Sequence, residues 1–182
     1  DEPQSIHILE VDPKITEIMA ARALDDGIGR ETVSSMVKRH GAFAGINGGF
    51  FKIGTNFDGL SMGALLCSGS WYALPHKARG VIGWNKDRVV LDQVLAECCV
   101  IIGDKKIYVE SLNRPRKAHE AVLYSRDFHR TTLTEFDCFE VLIKDGQVVE
   151  VRNSGSSYIP EGGYVLSLSS PEQIATGEKV DI

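Results

Sequence analysis

The stretch Cys138–Arg152 constrains the fold most, because two alternating segments flank the pair Asp145-Gly146. An Asp-Gly pair between such segments is a strong hairpin signal, since both turn positions then adopt positive φ. The pattern predicts antiparallel strands over Cys138–Lys144 and Gln147–Arg152.

Other short apolar runs bounded by turn residues predict further strands, namely Ser5–Val11, Phe43–Ile46, Gly63–Cys67, Ser70–Ala73, Arg79–Trp84, Arg88–Leu91, Ala96–Ile102, Ile107–Val109, Ala121–Tyr124 and Tyr164–Ser169, with a last strand opening at Val180. Helical spacing followed by Gly41 predicts a helix over Glu31–His40, and a second, short helix is expected at Pro171–Thr176. The pattern over Ile15–Leu24 fits a helix or a strand. The resulting prediction is one α+β domain over residues 1–182, with a mixed, mostly antiparallel sheet and a few helices.

Composition excludes several classes of protein. The net charge of −5, with scattered basic residues, disfavours nucleic-acid binding. No apolar run of membrane-spanning length occurs, and the first residues lack a signal-peptide pattern. We therefore expect a soluble protein without a membrane span, either cytosolic or exported with its signal peptide already removed.

The four cysteines, at positions 67, 98, 99 and 138, lie in apolar surroundings. Buried free thiols are favoured, and a single bridge from Cys67 or Cys138 to one of the adjacent pair is the alternative. Neither the cysteines nor the five histidines have the spacing of a metal site, and no phosphate-binding loop or dinucleotide fingerprint is present. The sequence predicts no metal and no cofactor.

Asn47-Gly48-Gly49 ends an apolar run and precedes two aromatic residues. Two glycines leave backbone N–H groups uncovered, and the Asn amide adds two donors and an acceptor, so the turn could bind a phosphate oxygen or a sugar hydroxyl. The alternative is an ordinary tight turn with positive φ and with Phe50 and Phe51 in the core. Local sequence alone favours that alternative, because Asn-Gly turns are common.

Five segments in order resemble the phosphodiester glycosidase family: Gly41–Phe51, Ser61–Gly63, Asn113–Arg116, Val122–Tyr124 leading to Thr131-Thr132, and Phe139–Val141 through Ile159–Ser167. The resemblance covers about residues 30–170. It implies a glycosidase-type domain acting on a sugar-1-phosphate diester or a related surface glycan outside the cytoplasm. Family members continue after the Ile159-Pro160 region into a second half that holds an Arg-Thr and an Asp-Gly-Gly-Gly-Ser segment, and the given sequence stops at Ile182 before that half. The domain is therefore expected to be incomplete, with no residues left to pair the strand at Val180, which is then disordered, exposed at a sheet edge or paired with another chain.

Cleavage of a glycosidic bond to phosphate calls for carboxylates and for groups that bind an anion. Glu140 is the first catalytic candidate. In the predicted strand it lies on the same face as Cys138 and Leu142, where a carboxylate either faces solvent or is held in a site. Asp58 is the second. The substrate-binding candidates are Asn47, Gly48, Gly49, Arg114, Arg116, His129 and Arg130.

The expected ligand is thus a carbohydrate or sugar phosphate, and whether this chain alone is an enzyme is left open. The alternative is a non-catalytic module that binds carbohydrate or the cell envelope.

Overall fold

The computed structural model describes residues 3–12, 14–135, 137–170 and 172–182. Within them strands dominate, and the helical elements are one α-helix, α1 (Val33–Arg39), and one 3-10 turn (Ala23–Asp25). The strands are β1 (Leu65–Cys67), β2 (Ser70–Ala73), β3 (Arg79–Trp84), β4 (Val89–Val94), β5 (Cys98–Ile102), β6 (Lys105–Val109), β7 (Ser111–Leu112), β8 (Val122–Ser125), β9 (Phe139–Lys144), β10 (Gln147–Arg152), β11 (Tyr164–Leu168) and β12 (Val180–Asp181).

The predicted α+β fold class is wrong, because the described chain is essentially all-β. The one α-helix has seven residues, and residues 15–22 are neither helix nor strand. Of the second predicted helix, residues 172–176 are not helical, and Pro171 lies outside the described residues. Without helices that cover the sheets, the core has to form between the sheets themselves.

A five-stranded sheet of order β10-β9-β11-β8-β7 forms the centre of the fold. Its pairs are antiparallel except β7 and β8, which are parallel. The predicted hairpin is confirmed as β9–β10, with φ of 51° at Asp145 and 69° at Gly146. Positive φ at both turn positions matches the right-handed twist of the strands and sets their register.

Both faces of this sheet are buried. Along β9, Val141 and Ile143 belong to one apolar cluster, whereas Leu142 belongs to a second. Because successive strand residues point to opposite faces, one cluster lies on each side. The first cluster includes residues of β5 and β6, and the second is covered by a loop that contributes Leu60. Glu140 is two residues from Leu142 along β9 and therefore lies on the same, second face.

A smaller sheet of order β12-β5-β6 packs against the first cluster. In it Val180 pairs with Ile102, and its N–H donates to the carbonyl oxygen of Gly146 at 2.8 Å. The predicted strand at Val180 is present. The expectation that no residues are left to pair it is wrong, because β5 provides a partner, whereas β12 does lie at the edge of this sheet, as one of the expected alternatives has it.

Helix α1 confirms the helix predicted over Glu31–His40. It begins after Thr32, whose hydroxyl oxygen accepts a hydrogen bond from the N–H of Ser35 at 3.2 Å. It ends before Gly41, which has a φ of 62°. A polar N-cap and a left-handed glycine satisfy the free backbone groups at the two ends.

The N-terminal half is less compact. The predicted strands over Ser5–Val11 and Phe43–Ile46 are absent, and Ile8 and Ile46 are 88% and 89% exposed. This half contains the two-stranded hairpins β1–β2 and β3–β4. It is tied to the central sheet by Arg22, whose guanidinium pairs with Asp127 at 3.0 Å and lies 3.9 Å from the ring centre of Tyr72.

Across the part of the chain that the structure describes, no helix is both long enough and apolar enough to cross a lipid bilayer.

Candidate functional site

Glu140 is a fully buried carboxylate on the second face of the central sheet. Its Oε1 accepts a hydrogen bond from the Thr134 hydroxyl at 2.7 Å, and its Oε2 accepts one from the N–H of Ser157 at 3.0 Å. Both donors lie on loops beside the β9–β10 hairpin. A carboxylate without access to water depends on such partners, because burial of a charge without them is costly.

Thr134 is the centre of a small hydrogen-bond network. Its Oγ1 accepts from the N–H of Ser156 at 2.8 Å and lies 3.0 Å from the hydroxyl of Thr132. Because the Thr134 hydroxyl donates its one proton to Glu140, the Thr132 hydroxyl is the donor to Thr134. The network fixes the proton positions around Glu140.

An open cleft of about 540 Å³ lies next to this network. Its lining comes from residues 116–119, residues 133–135, Asp137 and Ser169. Thr134 contributes to the lining and also contacts Glu140, so the buried carboxylate lies one side chain behind the wall of the cleft. The cleft combines basic side chains (Arg116, Lys117) with acidic ones (Glu135, Asp137). Such a surface suits a polar ligand.

Arg116 holds one side of the cleft. Its Nη1 donates to the hydroxyl of Ser169 at 3.1 Å, and its Nη2 donates to the carbonyl oxygen of Asp137 at 3.4 Å. Its Nε is buried and has no hydrogen-bond partner among the described residues. The backbone N–H of Arg116 donates to the Tyr124 hydroxyl at 3.0 Å, and burial together with the nearby charge of Glu140 raises the pKa of Tyr124. Tyr124 is therefore a neutral anchor for the segment that carries Arg116.

Arg114 does not line the cleft. Its Nη1 pairs with Glu120 at 2.7 Å, and this contact lowers the pKa of Glu120. Its Nη2 is buried without a partner in the described part of the chain. Of the three arginines predicted to bind phosphate, Arg114, Arg116 and Arg130, only Arg116 belongs to the lining of this cleft.

The Asn47-Gly48-Gly49 segment lies elsewhere, and its residues are exposed. The expectation of positive φ at Gly48 is wrong, because neither glycine adopts it and a side chain added at either would have no atom within 4 Å. Phe50 is 78% exposed, so the alternative of a core position is wrong for that residue as well. The segment is an exposed irregular loop with a bend at Gly49 and without positive φ at either glycine.

The remaining predicted site residues are also outside the cleft lining. One oxygen of Asp58 accepts from the N–H groups of Gly54 and Thr55, and the other pairs with Arg30 at 2.9 Å. The His129 ring accepts from the N–H of Thr131 at 3.2 Å, and Arg130 is exposed.

Thr134, Ser157 and Tyr124 were not predicted as part of the site. The two loop residues have no periodic pattern that could reveal them. Ser167 gives a weak signal, because it is a polar residue in a strand that is otherwise apolar. It lies directly opposite Glu140, and its hydroxyl is buried without a partner among the described residues.

All four cysteines are free, as the favoured prediction has it, but only Cys138 is buried, and the other three are half-buried. Among the residues described, no three His, Cys, Asp or Glu side chains group as metal ligands do.

No family model matches the chain. An uncharacterized protein of Rickettsia conorii is 26% identical over 136 residues, which are 72% of this chain and 48% of that protein. Two crystal structures each superpose on 94% of the chain with a TM-score of 0.76. One is a hypothetical protein from Synechocystis (18% identical, 34% of its length), and the other is a "Putative exported protein" from Burkholderia pseudomallei (22% identical, 43% of its length). The chain spans about half the length of the curated relative it matches, and it shares the fold of these longer proteins.

Proposed function

We propose that the chain is the ligand-binding part of a hydrolase of the phosphodiester glycosidase type, and that it acts outside the cytoplasm on a sugar-1-phosphate diester or a related surface glycan. The observation that carries the proposal is the Arg116 side chain in the lining of a polar cleft; its Nε–H has no acceptor among the described residues and is covered by protein, so a ligand reaches it only after the guanidinium turns. A guanidinium with a free N–H binds phosphate oxygens through charge-assisted hydrogen bonds.

The position of Glu140 supports the same proposal. A phosphate leaving group needs less help from an acid than an alcohol does, so binding of the anion is a large part of the task. Glu140 orients the Thr134 hydroxyl at the cleft wall, and Arg116 lies in the lining of the same cleft. Glu140 is the proposed carboxylate of this cleft, whereas Asp58, the other carboxylate candidate, lies outside its lining. The extracytoplasmic location rests on the resemblance and on the name of the Burkholderia neighbour.

A second candidate is a non-catalytic module that binds carbohydrate or the cell envelope. It is favoured by the fact that both oxygens of Glu140 already accept hydrogen bonds and that the side chain has no exposed surface. A reacting sugar in the cleft cannot reach this carboxylate unless Thr134, which lies between them, moves. Binding without turnover by this chain is the outcome that this candidate predicts.

The test is calorimetric titration of the 182-residue chain with a methyl diester of N-acetylglucosamine 1-phosphate, together with an assay for its hydrolysis. We expect Arg116→Gln to weaken binding by about tenfold or more, since a hydrogen bond to a charged group contributes about 1.5–3 kcal/mol. Arg130→Gln is the matched control, because Arg130 is exposed and outside the cleft lining.

If the Arg130 variant loses binding and the Arg116 variant retains it, the anion does not bind in the cleft. No binding by the unmodified chain would refute the proposal. Hydrolysis by the isolated chain would favour the enzyme over the binding module and would show that no further segment is needed for turnover.

A further inference from the structure

Strand β4 has one paired edge and one open edge. It is antiparallel to β3 from Trp84 opposite Val89 to Arg79 opposite Val94, and no other described strand pairs with it. Val89 is 60% exposed and Leu91 is 80% exposed. A two-stranded hairpin is marginally stable on its own, and an open apolar edge is a template for another strand.

The hydrogen-bond pattern identifies which groups the open edge presents. The N–H of Asn85 donates to the carbonyl oxygen of Arg88 at 3.0 Å, so these two residues form a hydrogen-bonded pair at the turn. Alternation along an antiparallel ladder then directs the backbone groups of Val90 toward β3 and those of Val89 and Leu91 toward the open edge. The Gln93 N–H also faces away from β3, in agreement with its hydrogen bond to the Asp92 carboxylate at 2.7 Å.

We propose that a second copy of this chain pairs with the open edge of β4, antiparallel and about a twofold axis at Val90. In this register Val90 faces Val90 of the second copy, and Val89 faces Leu91 of the second copy. The two Val89–Leu91 pairs are hydrogen-bonded pairs and use the open backbone groups of both strands. The proposal is independent of the proposed function.

Charge complementarity selects this register. With the axis at Val90, Arg88 of one copy lies opposite Asp92 of the other, on both sides of the axis. Moving the axis to Val89 or to Leu91 separates these charges. In the single chain, neither Arg88 nor Asp92 has an ion-pair partner among the described residues. Opposite charges that face each other across a strand pair stabilise it, and like charges destabilise it.

The first test is a cysteine cross-link at the axis. A non-hydrogen-bonded antiparallel pair has Cα atoms about 4.5 Å apart, which lies within the range for a disulfide. We expect Val90→Cys to form a disulfide-linked dimer under mild oxidation. Val149→Cys, another exposed valine on a strand, and the unmodified chain with its free cysteines are the controls and should not cross-link. Equal cross-linking in all three, or none at position 90, would overturn the proposal.

The second test is a charge exchange followed by sedimentation equilibrium. Arg88→Asp and Asp92→Arg should each raise the dimer dissociation constant by about tenfold, because each places like charges opposite one another twice per dimer. The double variant should recover the affinity of the unmodified chain, and Asp104→Arg, an exposed change in another turn, should leave it unaltered.

Leu91→Pro should abolish dimerisation with the hairpin intact, since the N–H that it removes faces the open edge. A chain that stays monomeric up to about 100 µM would overturn the proposal and leave this edge to a different polypeptide. Failure of the double variant to recover affinity would overturn the register.

Discussion

Replacement of Glu140 by Gln tests whether the buried carboxylate holds the loops beside the cleft. The amide has nearly the same volume as the carboxylate, so packing is conserved and only the polar contacts change. Its oxygen can still accept from the Thr134 hydroxyl. Its NH2 group then faces the N–H of Ser157, which donates to Oε2 of Glu140 at 3.0 Å in the unmodified chain.

The magnitude follows from these two contacts. The hydrogen bond from Ser157 to a charged acceptor is worth about 1.5–3 kcal/mol, and a buried donor left without an acceptor costs about 1–3 kcal/mol. We therefore expect Glu140→Gln to lower the free energy of unfolding by about 2.5–6 kcal/mol. This is a large part of the roughly 5–15 kcal/mol that stabilises a typical domain.

The assay is urea unfolding followed by circular dichroism, with the transition midpoint and its slope determined separately. A lower midpoint at an unchanged slope indicates a change in stability alone. Glu150→Gln is the matched control, because Glu150 is exposed on the neighbouring strand and its ion pair with Arg152 spans 3.6 Å. An exposed pair of this kind contributes at most about 1 kcal/mol.

A loss below about 1 kcal/mol in the Glu140 variant would refute the hydrogen-bonded burial of this carboxylate. In a catalytically competent protein we also expect a fall in turnover of about 10²–10⁴-fold, and this has to be measured per folded molecule. Thr134→Val distinguishes the loss of stability from the loss of turnover, because it disturbs the same hydrogen-bond network without removing the carboxylate.

Two further predictions concern the N-terminal half. Hydrogen bonds from Arg39 above all lower the pKa of Glu31 from 4.5 to about 2, so its stabilising effect is complete above pH 4.5 and is lost as the pH falls toward 2. The difference in melting temperature between the unmodified chain and Glu31→Gln should shrink over that interval, and a constant difference would contradict this reasoning. Gly59→Ala should destabilise the chain strongly, because Gly59 has a φ of 85° and a side chain there would lie 1.7 Å from the carbonyl oxygen of Gly29. Gly48→Ala should change the free energy of unfolding by less than about 0.5 kcal/mol, and a similar loss in both glycine variants would contradict the backbone geometry.

The elements that the sequence predicted correctly are those determined by a few neighbouring residues, such as a turn or a helix end. Asp145-Gly146 fixes a hairpin because few other pairs adopt two successive positive φ values, and Gly41 marks the end of α1 for a similar reason. The alternation over Ser5–Val11 shows the limit of such signals. An alternating segment becomes a strand only when a neighbour pairs with it, and no described strand does so here.

The site was predictable only in part, because its contacts are not local. Alternation placed Glu140 on a strand and left open whether it faces solvent. Its burial depends on Ser157, which is 17 residues away along the chain and lies on a loop. The positive φ expected at Gly48 is wrong because glycines in an open loop and glycines in a tight turn look the same in sequence. Arg116 was selected for its chemistry, and only the fold distinguishes it from Arg130.

The uneven burial of the two halves leads to a last prediction, on hydrogen exchange. Strands β8, β9 and β11 consist almost entirely of buried residues, whereas every residue of β4 except Val94 is exposed. Amides of the three buried strands should exchange only when the whole domain unfolds, and those of β3 and β4 should exchange through local opening at much lower free energy. The exchange is measured at low protein concentration, where any pairing between copies is dissociated. Uniform protection of the amides in both halves would refute the predicted difference between them. If Val89 and Leu91 become protected as the concentration rises while the amides that face β3 change less, the protection comes from a strand added at the open edge and not from a more stable hairpin.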